Sequence, residues 1–469
     1  MLFSSMIFLW LFFPVVFLIS RFLKIKYQNI FLLLASLLFY AWGEPKYIFL
    51  MLFSICLNWG CGMLLDRFDT MGGRRTVLGA GILLNLMLLG YFKYMGLLVR
   101  TVNNLFHQEL LSVPMIALPI GISFFTFQAL SYVIDVYRGE CKAQKNILNL
   151  ALYISFFPQL IAGPIVKYKD VNEQITDRSV SSEKLTEGIR RFIYGLSKKV
   201  LVSNVLAQSA DLIFALNMEE MTGVLAWTAA ILYTFQIYYD FSGYSDMAIG
   251  LGKMFGFDFN ENFRYPYTSL SIREFWRRWH ISLSTWFREY VYIPLGGNRR
   301  GALRTYVNLG IVFLLTGIWH GASYNFMFWG IYHGAFLILE RIGLGKFLDR
   351  HKIIAAVYTF FAVVCGWVLF RIESMRQIFQ FGKRMLLPWV YSASHYSVWE
   401  FVDGHTLVVL IGAVLGMGIL QRVVEIYKKK WILKWKFSLP ELVYCMGLLL
   451  LCISALASNT YNPFIYFRF

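Results

Sequence analysis

The chain has 469 residues, 58% hydrophobic and 15% charged, with a net charge of +17. A soluble domain is nearer half apolar and a quarter charged, so a mean hydropathy of +0.56 excludes an ordinary soluble globule. The positive charge lies in short stretches between apolar runs, a pattern that follows the positive-inside rule and gives no reason to invoke nucleic acid.

Apolar runs recur at 6–20, 28–42, 46–65, 77–98, 116–134, 147–165, 200–216, 223–239, 305–319, 323–339, 353–370, 405–420 and 441–457. Several fall short of a full span, so the pattern predicts an all-α polytopic membrane protein with roughly 11 to 13 membrane segments, some of them re-entrant. The first twenty residues lack a basic start and a small-residue cleavage site, so 6–20 is expected to stay as the first helix. Arg21, Lys24 and Lys26, then Arg67, Arg74 and Arg75, place those loops in the cytoplasm and the N-terminus outside. The six cysteines form no CxxC pair, so neither a disulfide framework nor a metal site is expected. No internal repeat or domain-sized linker appears, and a single membrane domain over 1–469 is expected, with its motifs at about 115–340.

Phe157-Pro158-Gln159 and Gly163-Pro164 put two prolines in one apolar run and predict a broken helix enclosed by protein or a water-filled cavity. Residues 167–199 carry eight Lys/Arg and five acids and read as a cytoplasmic loop or surface helix. Tyr239-Asp240 and Asp246 follow a hydrophobic run, and carboxylates there need partners. Arg264, Arg273 and Arg277 are the candidates. Asp246 reads as a structural ion pair, while Asp240 is open between structure and substrate positioning.

Residues 264–304 hold eight arginines and two acids, too many charges to span lipid. Advanced at helical pitch, Ile272, Phe275, Trp276, Trp279, Leu283, Trp286, Phe287 and Tyr290 share one face. Arg273, Arg277, His280, Ser284 and Arg288 form a stripe on the other side. Two readings fit. One is an interfacial helix whose arginines meet lipid phosphates. The other is a helix lining a polar cavity for an anionic substrate, with Arg273, Arg277 and Ser284 in contact with it. Pro294 and Gly296-Gly297 then make a cytoplasmic turn.

Val307–Ile318 is nearly all apolar, with Asn308 its chief polar exception, and leads into Trp319-His320, flanked by Gly317 and Gly321. His320 is either hydrogen-bonded across a helix pair or a neutral general base; the small residues allow close approach of a helix or a substrate. His333 reads as structural.

Together these segments resemble the membrane-bound O-acyltransferase family, in particular its bacterial alginate O-acetyltransferase membrane-subunit-like branch. The resemblance runs through Phe125-Thr-Phe-Gln128, Phe157-Pro-Gln159, Asp240-Phe-Ser-Gly-Tyr-Ser-Asp246, Glu274-Phe-Trp-Arg-Arg-Trp-His280, Tyr292-Ile-Pro-Leu-Gly-Gly297, Trp319-His-Gly-Ala322 and the terminal Phe464-Ile-Tyr-Phe-Arg-Phe469. It implies helices around a transmembrane tunnel in a bacterial inner membrane, with His320 and His280 catalytic. Arg273, Arg277, Trp319, Asn308, Ser284, Asp240 and Tyr239 are the candidates to meet substrate. The implied donor is cytoplasmic acyl-CoA, specifically acetyl-CoA, with no permanently bound cofactor. The implied partners are an extracytoplasmic SGNH or serine-hydrolase-like acetyltransferase and a polysaccharide acceptor. Two rivals stand beside this: D-alanyl transfer to teichoic acid from a carrier protein, and a non-catalytic acyl or glycan transporter.

Overall fold

The computed structural model describes residues 1–392, 395–420, 439–458 and 461–465. Positions 466–469 of the terminal aromatic motif therefore lie outside the described residues. Among those described, the chain is helical with no β-strand. Among the described residues, six helices are long and apolar enough to cross a membrane: 25–43, 48–67, 71–106, 301–320, 352–371 and 439–458. The chain is a multi-pass membrane protein. It divides into two compact units, Met1–Phe192 with Tyr244–Glu261, and Ile193–Gly243 with Asn262–Phe469.

The first unit opens on a π-helical turn, Phe8–Phe12, leading into α1 (Phe13–Phe22). Three spans follow: α2 (Ile25–Gly43), α3 (Ile48–Arg67) and α4 (Met71–Phe106). Beyond them come α5 (Ile122–Arg138), α6 (Ile147–Ser155), α7 (Phe157–Leu160) and α8 (Tyr168–Thr176). In lipid-crossing helices, polar side chains must find each other. Asn58 of α3 and Asn85 of α4 do so by exchanging amide hydrogen bonds of 3.1 and 2.9 Å.

The expected helix break is present. Phe156 leaves helical geometry between α6 and α7, and all four residues of α7 are buried. The Phe157 N–H donates to Ser36 Oγ at 3.1 Å, and the Gln159 amide donates to the Tyr153 carbonyl, so protein groups satisfy the broken backbone. Asp246 is a structural ion pair, but its partner is Arg191, at 2.9 Å, and not an arginine of the 264–277 stretch. Arg191 also meets Glu261 at 2.5 Å.

Helices α9 (Ser182–Ser197) and α11 (Gly223–Met254) supply residues to both units, with α10 (Asn204–Phe214) between them. The second unit continues with the short helices α12 (Ile272–Arg278) and α13 (Ile281–Phe287). Then come α14 (Gly301–His320), α15 (Tyr324–Leu339), α16 (Gly345–Arg350), α17 (Lys352–Arg371), α18 (Met375–Leu386), α19 (Gly404–Gly416) and α20 (Leu439–Ser458).

Three π-helical turns interrupt this second unit, at Lys198–Ser203, Arg288–Tyr292 and Glu340–Leu344. Such turns re-aim side chains inside otherwise regular helices. Here they carry Lys199, Arg288 and Glu340.

Candidate active site

All nine residues singled out by sequence belong to the second unit. The expected continuous helix over 272–290 is broken. Helix α12 ends at Arg278, Trp279 is extended, and His280 is left-handed at φ 44°. A non-glycine residue in that region is strained and is held there by its surroundings. The Arg264 N–H donates to the Arg278 carbonyl at 2.9 Å, and the Ile281 N–H donates to the Asn262 carbonyl at 3.0 Å, so the 262–264 segment fixes the bend. The apolar face survives it: every predicted member from Ile272 to Tyr290 is buried.

The bend sends His280 inward, away from the arginines, and leaves it 0% exposed. Its Nδ1 lies 3.2 Å from Asn262 Oδ1, and that atom also accepts the Ser282 N–H at 3.2 Å. A backbone N–H needs an oxygen acceptor, so the atom is the amide oxygen and His280 Nδ1 must be the donor. The proton therefore sits on Nδ1, and Nε2 keeps its lone pair. Burial pulls the His280 imidazolium down to about 3, so the ring is neutral.

His320 is the last residue of α14 and is 5% exposed. Trp319, Trp329 and Phe370 surround its ring at centroid distances of 5.0, 5.1 and 5.2 Å. The two histidine rings stand 6.5 Å apart, with Trp319 6.1 Å from His280. Glycine makes this packing possible. A Cβ on Gly317 would lie 2.2 Å from the Phe326 carbonyl oxygen, and one on Gly330 would lie 2.3 Å from that of Phe313. The close approach is therefore between α14 and α15. His333 packs against Trp329 at 5.0 Å and Trp276 at 5.1 Å, one ring removed from His320.

Arg273, Arg277, Ser284 and Arg288 do come together. With Tyr292 they line a cavity of about 250 Å³, and α14 contributes Leu309, Phe313 and Thr316 to its wall. Among the described residues, no carboxylate lines it. Thr316 is one helical turn before His320. Glu340 sets the orientation of α12. Its carboxylate accepts the Ile272 N–H at 2.6 Å and the Arg273 N–H at 3.1 Å, capping two open donors at the helix start.

The remaining predicted residues lie on structural contacts. Asn308 donates to the Gly297 carbonyl at 2.9 Å and clamps the turn after α13. Tyr239 donates to the Ala413 carbonyl of α19 at 2.8 Å. Asp240 is 1% exposed and pairs with Lys199 at 2.5 Å, while its other oxygen accepts the Ile465 N–H at 2.8 Å. Lys199 also donates to the Pro463 carbonyl. The partner of Asp240 is thus a lysine from the charged stretch read as surface, and not Arg264, Arg273 or Arg277. Sequence reasoning missed Asn262, Lys199 and Glu340. A lone acid closing an apolar run was the available signal for Glu340; nothing local marked the other two.

Comparison with known proteins identifies the family. The family model of the membrane-bound O-acyltransferase family matches residues 140–375. A probable alginate O-acetylase of Pseudomonas putida is 45% identical over 382 residues, covering 80% of this chain and 78% of the relative. The peptidoglycan O-acetyltransferase of Helicobacter pylori is 36% identical over 422 residues, 82% of this chain and 80% of its own. The teichoic acid D-alanyltransferase of Bacillus subtilis is 28% identical over 276 residues, 54% of this chain and 68% of its own. The paired buried histidines thus sit in a chain that belongs to the membrane-bound O-acyltransferase family and is an O-acyltransferase.

Proposed function

We propose that the protein transfers an acetyl group from acetyl-CoA on the cytoplasmic side to a glycan, directly or through an extracytoplasmic SGNH-type acetyltransferase, in a bacterial inner membrane with the N-terminus outside. The observation that carries this is the arginine-lined cavity reaching within one turn of His320. Three guanidinium groups, with no carboxylate among the described lining residues, suit the phosphates of a CoA thioester. Arg299, Arg300 and Arg304 lie at the start of α14, and His320 lies at its far end. By the positive-inside rule the donor side is cytoplasmic. The relatives' names, alginate O-acetylase and peptidoglycan O-acetyltransferase, support a polysaccharide acceptor.

In this reading His320 is the general base. It takes the proton of the acceptor hydroxyl as that oxygen bonds to the thioester carbonyl carbon. The carbon–sulfur bond breaks, and the departing thiolate receives the proton. His280, with Nδ1 committed to Asn262, offers Nε2 to the donor end and positions it. Arg273, Arg277, Arg288 and Ser284 hold the donor, and Trp319 packs both rings.

The test is labelled acetyl-CoA with the purified protein and its extracytoplasmic partner, following free CoA and labelled glycan. Wild type is expected to release CoA and label the glycan, and His320→Ala to do neither while remaining folded. Undiminished labelling by His320→Ala would sink the assignment.

A further inference from the structure

Residues 461–464 are irregular, yet Phe464 and the following Ile465 are only 4% and 5% exposed. A buried irregular segment has backbone donors and acceptors to satisfy, and here side chains of other elements do it. Lys199 donates to the Pro463 carbonyl, and the Ile465 N–H donates to Asp240 Oδ2 at 2.8 Å. The segment thereby completes the buried Lys199–Asp240 pair, whose second carboxylate oxygen would otherwise lack this donor. Asn204 of α10 donates to Asn462 Oδ1 at 3.2 Å. The Tyr461 hydroxyl donates to Asp211 Oδ2 at 2.6 Å, and Arg371 holds Oδ1 of the same carboxylate at 2.7 Å.

Both ends of the segment are tied beside rings that pack on the two histidines. Asp240 precedes Phe241, which stands edge-on to His280 at 4.7 Å. Arg371 follows Phe370, which stands edge-on to His320 at 5.2 Å. Phe370 is buried and also meets Phe326 at 5.0 Å and Trp329 at 5.3 Å. In a close-packed cage of this kind, a shift of Phe370 is passed on to the His320 ring. Phe370 lies in the last turn of α17, where the carbonyls lack intrahelical partners. Asn325 donates to the Leu369 and Phe370 carbonyls at 3.2 and 3.4 Å and holds the backbone there. The side-chain hold on that turn is Arg371–Asp211–Tyr461. Asp211 alone balances the charge of Arg371. Tyr461 adds no charge; its hydrogen bond fixes the direction in which the carboxylate faces.

We infer that Tyr461, Asp211 and Arg371 are positioning residues for acyl transfer: together they fix Phe370, and Phe370 fixes the ring of His320. Residues 461–465 are the strap that joins this hold to the Asp240–Phe241 support of His280, so one segment sets the placement of both rings. Misplacing a reacting group by a fraction of an ångström costs rate without costing substrate binding. The Arg371 and Asp211 side chains keep 17% and 21% of their surface, so their pairing adds little to stability. This inference rests on the reading of His320 as the general base.

The experiment measures kcat, KM for acetyl-CoA and Tm on the purified full chain with its extracytoplasmic partner. Tyr461→Phe keeps the ring and removes only the hydroxyl. Tyr461→Phe, Asp211→Asn and Arg371→Met are each expected to lower kcat about tenfold, with KM and Tm nearly unchanged. Arg371→Lys keeps the ion pair and is expected to recover most of kcat. With Phe370→Leu already in place, Tyr461→Phe is expected to lower kcat no further, because its route to His320 is gone. The inference is overturned if Tyr461→Phe and Asp211→Asn keep full kcat, or if KM rises instead. It is equally overturned if the loss of kcat tracks a loss of Tm, or if Tyr461→Phe costs the same factor beside Phe370→Leu. His320→Ala is measured in parallel. Turnover that needs His320 but ignores Tyr461 and Asp211 sinks this inference alone; turnover that ignores His320 sinks the base assignment and this inference with it.

Discussion

His280 and His320 stand 6.5 Å apart, yet they are held by different physics. His280 is fixed by hydrogen bonds to Asn262 and by a left-handed backbone that its neighbours impose. His320 is fixed by shape, in a cage of aromatic rings at the end of a helix pressed against its neighbour through glycines. A hydrogen bond on Nδ1 chooses the His280 tautomer, whereas the packed rings choose the position of His320. The first arrangement suits a group that must always present the same nitrogen. The second suits a group that must gain and lose a proton within a turnover.

The sharpest way to break this contrast is at His320, the ring proposed to carry the proton. His320→Ala should lower turnover about a thousandfold, measured as acyl transfer per folded protein. Next in size is the buried support behind His280. Phe241 packs edge-on to His280 at 4.7 Å, and its neighbour Asp240 pairs with Lys199. Lys199→Met leaves a buried carboxylate without its cation and should cost about 3–5 kcal/mol of stability, read as a fall in Tm. The double variant with Asp240→Asn should recover part of it.

Asn262→Leu removes the acceptor that sets the His280 tautomer. A loss of about 2 kcal/mol, roughly thirtyfold in kcat, is expected together with an altered pH profile. A change in Tm with no change in the profile would mean that Asn262 only braces the loop. Glu340→Gln should have the smallest effect. It weakens the cap on α12 by about 1 kcal/mol and should raise KM for the donor several-fold, with kcat nearly unchanged.

Sequence legibility follows the range of the forces. The apolar face of 272–290 was readable because burial is a local, periodic property, and every member of it is buried. The bend at Trp279–His280 was not, since neither residue is a helix breaker and the geometry comes from Asn262 and Arg264, over a dozen residues earlier. The arginine stripe was readable as a stripe, but His280 left it with the bend. Asp240 was recognisable as a carboxylate needing a partner, and Tyr239 and Asn308 as polar candidates to meet substrate. Which partners they had depended on tertiary contacts to Lys199, Ala413 and Gly297 that no local pattern encodes. Lys199 was the hardest case, because it closes a charged stretch and is nevertheless 1% exposed.

The place of His320 at the end of α14 has one more consequence. The helix runs twenty residues, from Gly301 to His320. Its peptide dipoles sum to a partial negative charge of about half an electron at that terminus. A cation there is favoured by up to about 2 kcal/mol in a partly buried setting. The aromatic cage keeps the resting imidazole dry, while the helix end would supply a fixed counter-charge in the proposed step in which the ring takes up a proton. That counter-charge belongs to the backbone, so it does not have to reorganise during turnover, and no side-chain substitution on α14 would remove it.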